Sequence, residues 1–142
     1  MNIYFACSIT GGREFEPVYQ AITQALLEDG HEVPTAHLAG PEVTALEAVV
    51  QPVEIYTRDV AWIRACEVLV AEVSTPSHGV GYEVAFALSI AKPVLCVYRD
   101  GQKVSKMLTG NTEANLQVKT YRTVEEAVAL VRTALSRVQT NL

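Results

Sequence analysis

The sequence predicts a single-domain α/β sandwich of three layers, with a parallel sheet covered by helices on both faces. Three observations carry that expectation. The segments Val68-Leu-Val-Ala71 and Pro93-Val-Leu-Cys-Val-Tyr98 are apolar without alternation, which marks strands buried on both faces. Stretches with helical spacing alternate with these runs, as in chains built from β-α-β units. The 142 residues are 49% hydrophobic and 19% charged, enough for one domain over 1–142 with its own core and no disulfide or structural metal.

The elements follow in order. Ile3-Tyr-Phe-Ala-Cys7 is an apolar strand that runs into the turn Ser8-Ile-Thr-Gly-Gly-Arg13. Phe15, Val18, Ile22 and Leu26 recur at helical spacing, and Gly30 is a stop after Asp29. His31-Glu-Val-Pro34 reads as a weak second strand. Gly40-Pro41 marks a turn, and a helical turn around Glu42–Val49 could cover a pocket. Pro52 suits the first turn of a helix, whose apolar stripe is Tyr56, Val60 and Ile63. Val68–Val73 is the third strand, Pro93–Tyr98 the fourth and Leu116–Lys119 a fifth at the edge, with a helix over Val84–Ala91 and a short piece at Val104–Leu108. Thr123 caps the last helix with Glu126 three residues on, a capping-box spacing. Its buried stripe is Val124, Val128, Val131, Leu135 and Val138. Five parallel strands in flavodoxin-like, Rossmann-like order with about five helices result.

Composition excludes several functions. A formal charge of -5 argues against a nucleic acid polymer as partner, which calls for a basic face. No apolar run approaches the length of a membrane span, and Met1-Asn-Ile-Tyr4 enters a strand with no basic leader. Cys7, Cys66 and Cys96 form no C-x-x-C pair; Cys7 and Cys96, at or in apolar runs, read as core thiols of a cytoplasmic protein. His31, His37 and His78 lack metal-ligand spacing. Neither a metal nor a cofactor is expected.

The segment Ala71-Glu-Val-Ser-Thr-Pro-Ser-His-Gly-Val-Gly-Tyr-Glu83 leaves the carboxyl end of a strand, where ligands bind in open α/β sheets. Gly79 and Gly81 would permit left-handed backbone and close ligand approach. The following helix would offer free N–H groups to an anion, with Glu83 in its first turn. There the helix dipole would favour the ionised carboxylate. The alternative is an ordinary strand-to-helix loop with a first-turn Glu. The Ser8–Arg13 turn matches neither G-x-G-x-x-G nor a Walker loop. Its N–H groups, the Ser8 and Thr10 hydroxyls and the Arg13 guanidinium could hold a phosphate, or Ser8 and Thr10 could simply cap the helix. Asp59 borders the buried stripe of its helix, as a carboxylate with a partner or a task.

These residues resemble the nucleoside 2-deoxyribosyltransferase superfamily, and within it the 2'-deoxynucleoside 5'-phosphate N-hydrolases. Four pieces carry the resemblance, from Ile3 to about Gly110: Tyr4-Phe5 with Ser8–Glu14; Arg58-Asp59 and Trp62; Val70–Glu83; and Val104–Leu108. The resemblance implies cleavage of an N-glycosidic bond in a deoxynucleoside monophosphate. Glu83 would be the nucleophile on C1', Tyr4 would hold Glu83, and Asp59 would help protonate the leaving base. Ser8, Ile9, Thr10, Gly11, Gly12, Arg13, Ser77 and Gly79 would bind the phosphate, with Ser105 contributed from the second subunit of a homodimer. Animal hydrolases of this group often carry Arg where this chain has Thr10, so the loop here has one charge fewer. A base-exchanging transferase and a non-catalytic nucleotide-binding module are the competing expectations. Transferases commonly have Asp at the position of Ser77, and an Asp would repel a phosphate dianion; this favours the hydrolase.

Overall fold

The computed structural model describes residues 1–140. Four parallel strands form one sheet in the order β1 (Ile3–Ala6), β2 (Val68–Glu72), β3 (Val94–Arg99), β4 (Leu116–Tyr121). The helices are α1 (Glu16–Glu28), α2 (Val43–Ala48), α3 (Pro52–Ala65), α4 (His78–Ser89), α5 (Lys106–Thr109) and α6 (Val124–Thr140), with a 3-10 turn at Ala36–Ala39. Among the described residues no helix is long and apolar enough to cross a membrane.

The expected five strands are corrected to four, because the weak second strand at His31–Pro34 does not form. His31–Pro34 contributes a single parallel bridge, Asn2 with Glu32, on the outer side of β1. Ile3 N–H donates to the Glu32 carbonyl at 2.8 Å, and Glu32 N–H donates to Met1 at 2.9 Å. Pro34 then has no N–H to extend a ladder, and Ala36 N–H turns back to the Val33 carbonyl at 3.0 Å. The bridge lies where a flavodoxin-like order would place the second strand, outside β1.

Alternation along β2 supplies both halves of the core. Val68 and Val70 join Ile3, Phe5, Val18, Ile22, Leu26, Val131 and Leu135 on the α1/α6 face. Leu69 and Ala71 join Tyr4, Ile63, Val84 and Cys96 on the α3/α4 face. Leu69 is fully buried at the sheet centre, and truncation to Ala there should cost about 2–5 kcal/mol. The α1 stripe is as expected, and it stops at Gly30, with φ of 81°. On α3 the expected stripe is buried only at Ile63, and Tyr56 is exposed. In α6, Ala127, Val131, Ala134 and Leu135 are buried, and Val124, Val128 and Val138 pack at the edges. The Thr123 hydroxyl accepts from Glu126 N–H at 3.1 Å, while the Glu126 carboxylate accepts from Arg122 N–H.

Candidate functional site

The site grows from the carboxyl ends of β1 and β2. Parallel pairing of Tyr4 with Leu69 and of Ala6 with Ala71 sends both strands out of the sheet side by side. Their loops touch at Gly11. A Cβ built there would lie 2.4 Å from the Pro76 carbonyl oxygen and 3.0 Å from Ser8 Oγ, so only glycine lets the two loops meet.

Helix α4 begins earlier than the sequence suggests. Ser77 is its N-cap, with extended backbone, and the Ser77 hydroxyl accepts from Val80 N–H at 3.3 Å. The hydroxyl proton stays free to donate. Gly79 and Gly81 are therefore inside the helix, and neither has a left-handed φ; among the described glycines only Gly12, Gly30 and Gly101 do. Glu83 consequently stands in the second turn, where the helix dipole has faded. Burial acts in the opposite direction to the expected dipole effect. It pushes the Glu83 carboxyl up to about 7, opposed by its hydrogen bond from Tyr4, and the neighbouring Asp59 charge raises it further.

The Tyr4 hydroxyl donates to Glu83 Oε1 at 2.9 Å, a contact between residues 79 positions apart. Burial, and then the adjoining Glu83 charge, raise the Tyr4 hydroxyl well above the ordinary phenol range. That phenol therefore remains a donor at any working pH. Asp59 comes from α3. Burial raises its carboxyl, and the Arg58 guanidinium opposes this from 2.8 Å. Arg58 also reaches Glu47 at 3.0 Å and lies over the Trp62 ring, 4.9 Å from its centroid. His37 meets Trp62 edge-on at 6.0 Å and stands 3.8 Å from Glu47. Sequence reasoning missed Glu47 and His37 as neighbours of Asp59. The one signal was that the stretch through Glu42–Val49 could cover a pocket.

A cleft of about 910 Å³ opens on another face of α4. Gly81, Val84, Ala85 and Leu88 form its helical wall, as spacing by three and four requires. Thr10, Gly11 and Ser77 lie at its mouth, and Ser105 of the same chain lies on the opposite lip. Ser105 is the N-cap of α5, accepting from Met107 N–H at 3.2 Å. Tyr4, Asp59 and Glu83 are not part of the cleft wall. Helix α4 carries both Glu83 and the cleft-lining Gly81 and Val84.

The remaining loop residues have distinct surroundings. The Ser8 side chain is buried, and its hydroxyl has no partner among the described residues. Ile9 is half-buried, Thr10, Gly12 and Gly79 are exposed, and Gly12 has φ of 126°. Arg13 is a clasp inside the protein. Its guanidinium donates to the carbonyls of Ser8, Leu38 and Gly40 at 3.0, 3.0 and 2.8 Å and to Glu16 at 3.0 Å. Of its five N–H donors, most are thus engaged, which leaves Arg13 shaping the loop more than meeting an anion.

Comparison with known proteins adds the following. Residues 3–129 match the family described as Nucleoside 2-deoxyribosyltransferase. A protein of Methanococcoides burtonii that carries the name of a 2'-deoxynucleoside 5'-phosphate N-hydrolase is 42% identical over 121 residues, covering 85% of this chain and 99% of its own. The 5-hydroxymethyl-dUMP N-hydrolase of Mus musculus is 39% identical over 136 residues, 92% of this chain and 78% of its own. The structure of the CMP N-glycosidase of Clostridium botulinum superposes with a TM-score of 0.67 at 17% identity, covering 92% of this chain and 98% of that one; at that identity it speaks for the fold.

Proposed function

The chain belongs to the nucleoside 2-deoxyribosyltransferase family, and from that premise we propose that it hydrolyses the N-glycosidic bond of 2'-deoxynucleoside 5'-monophosphates. The products are the free base and 2-deoxyribose 5-phosphate. The names of relatives at about 40% identity point to this reaction. The observation that carries it in this chain is the Tyr4–Glu83 hydrogen bond of 2.9 Å beside Asp59.

In this reading Glu83 attacks C1' as the carboxylate. The C1'–N bond breaks, its electron pair leaves with the base, and Asp59 supplies the proton to the base nitrogen. A carboxylate suits the step because charge at C1' is cationic in the transition state. Tyr4 fixes Glu83 and opposes the rise that burial imposes on it. The ester formed is then opened by water, whose proton returns to Asp59 as the C1'–Glu83 bond breaks. The Asp59 charge raises the Glu83 carboxyl, while the Arg58 guanidinium opposes the rise that burial imposes on Asp59; carboxyls in unlike surroundings can divide the roles of acid and nucleophile.

The 5'-phosphate is assigned to the Ser8–Gly12 loop, Ser77 and Gly79, with Arg13 holding the loop in shape. Ser77 supports this placement, since its hydroxyl proton is free beside the N–H groups that open α4. The protein is proposed to work as a homodimer in which Ser105 of each subunit completes the phosphate site of the other. The exposed Met107 and the apolar wall of Val80, Val84, Leu88 and Leu108 support a covered surface there. Light scattering should return at least twice the 15.5 kDa chain mass; a fully active monomer would remove the shared site.

The deciding experiment is base release from dGMP and from deoxyguanosine, followed by chromatography. Free base from dGMP with a clear preference over the nucleoside is the expected result. Exchange between a deoxynucleoside and a second base would make the protein a transferase. No release and no exchange would make it a binding module.

A further inference from the structure

A second buried carboxyl has no part in the chemistry above. Glu72 ends β2 on the α1/α6 face of the sheet, fully inaccessible to solvent. A carboxylate in that position must be held by donors to persist. Its Oε1 accepts from Ser74 N–H at 3.1 Å, from the Ser74 hydroxyl, and from the Tyr121 hydroxyl at 3.3 Å. Its Oε2 is buried without a partner among the described residues, as is the hydroxyl of adjoining Tyr19.

The reach of these bonds is wider than one turn. Ser74 Oγ accepts from Arg99 N–H at 2.8 Å. Arg99 ends β3 and opens the segment that leads to Lys103 and Ser105. Tyr121 ends β4, and its carbonyl accepts from Asp100 N–H at 2.8 Å. Glu72 therefore ties together the carboxyl ends of β2, β3 and β4. From β2 the chain goes to Ser77 on one lip of the 910 Å³ cleft, and from β3 it goes to Ser105 on the other.

We propose that Glu72 is a positioning residue for the phosphate end of the substrate, holding Ser77 in place for its own subunit's site and Ser105 for the partner's site through Ser74 and Tyr121. It touches no reacting atom. The identity of the ligand rests on the hydrolase reading above; the mechanical link between the lips does not. Because Glu72 acts through hydrogen-bond acceptance, Gln at this position retains an oxygen for the same donors and Ala does not.

The test compares E72A, E72Q and S74A, each in an E83Q background so that substrate is bound without turnover. Calorimetry gives the affinities for dGMP and for deoxyguanosine. In E72A the dGMP affinity should fall at least ~tenfold, the scale of one charge-assisted hydrogen bond, while the deoxyguanosine affinity changes less than about threefold. E72Q should restore most of the loss. Should circular dichroism show that E72A does not fold, S74A, which cuts the link to Arg99, carries the same expectation at a smaller size. Amide hydrogen exchange is read in parallel on residues 74–80 and 99–106, with faster exchange on both lips expected. Equal weakening of dGMP and deoxyguanosine, or unchanged exchange on either lip, overturns the proposal. Absence of base release from dGMP by the unmutated protein would instead remove the hydrolase reading, and hydrogen exchange would still decide the link.

Discussion

Glu72 and Glu83 invite comparison because burial does the same thing to both. Each carboxyl is pushed up to about 7 with desolvation as the leading cause. Their surroundings differ in kind. Glu72 is enclosed on the α1/α6 face by hydroxyls and a backbone N–H, with two oxygen atoms of the cluster left unmatched. Glu83 stands on the other side of the sheet, bonded once by Tyr4 and set in the field of Asp59 and Arg58. A raised carboxyl is therefore no sign of chemistry by itself. What separates the two is the company of further charges and the number of lone pairs left for a substrate.

The largest expected effect tests that division directly. E83Q should lose turnover of dGMP by about 10³-fold or more, the scale seen when a nucleophile is removed, with a native far-UV spectrum. E72Q should stay within about threefold, because an amide oxygen can accept what the carboxylate accepted. Equal losses in the two variants would erase the distinction.

The next effect separates the proposed phosphate contact at Ser77 from the reacting centre. S77D removes a donor and adds a like charge beside the phosphate, so kcat/KM for dGMP should fall by at least ~10²-fold relative to deoxyguanosine. The ratio of the two substrates cancels general damage. An unchanged ratio would place the 5' group elsewhere.

A smaller effect concerns Tyr4. Its hydrogen bond opposes the rise of Glu83, so Y4F should move the acidic limb of kcat/KM to higher pH. At neutral pH the loss should be about tenfold, the scale of one hydrogen bond to a charged group. A pH profile that does not move would detach Tyr4 from the ionisation of Glu83.

The mildest test uses stability. Both carboxyls bind protons more tightly folded than unfolded, since each is raised from 4.5 to about 7. Their contribution is fully present below about pH 4.5 and is lost as pH rises through about 7. Urea titrations should show the unmutated protein less stable at pH 8 than at pH 5. Gln at either position should flatten that slope by on the order of 3 kcal/mol. Flattening with retained activity in E72Q, and without it in E83Q, completes the comparison.

The same two residues show what the sequence could and could not reveal. The strands were legible because Val68–Ala71 and Pro93–Tyr98 are continuously apolar, and the helices because their stripes recur at helical spacing. The weak strand at His31–Pro34 failed for a local reason, since Pro34 lacks the N–H that a ladder needs. The start of α4 was misplaced because Gly79 and Gly81 suggest a turn, whereas the Ser77 cap and the apolar face through Val80 and Val84 hold them in a helix. Glu83 and Tyr4 came into view through the resemblance to a family; no periodicity links residues 79 positions apart. Glu72 carried a signal that went unread, as a lone acid within an otherwise apolar strand. The engagement of Arg13 with the Leu38 and Gly40 carbonyls was beyond reach, because it depends on where a separate loop is folded back.

Gly11 has a consequence for anyone who would reshape this protein. Its missing side chain is the gap that the Pro76 carbonyl fills, with 2.4 Å to where a Cβ would stand. A randomised library across Ser8–Arg13 should therefore return diversity at Thr10, whose side chain is exposed, and a single letter at Gly11. Attempts to retune which leaving group is accepted would do better to leave this contact alone and vary the stretch 36–48, where His37 meets Trp62 and Glu47 meets Arg58. One hydrogen atom in place of a methyl group thus marks the border between the part of the molecule open to redesign and the part that is not.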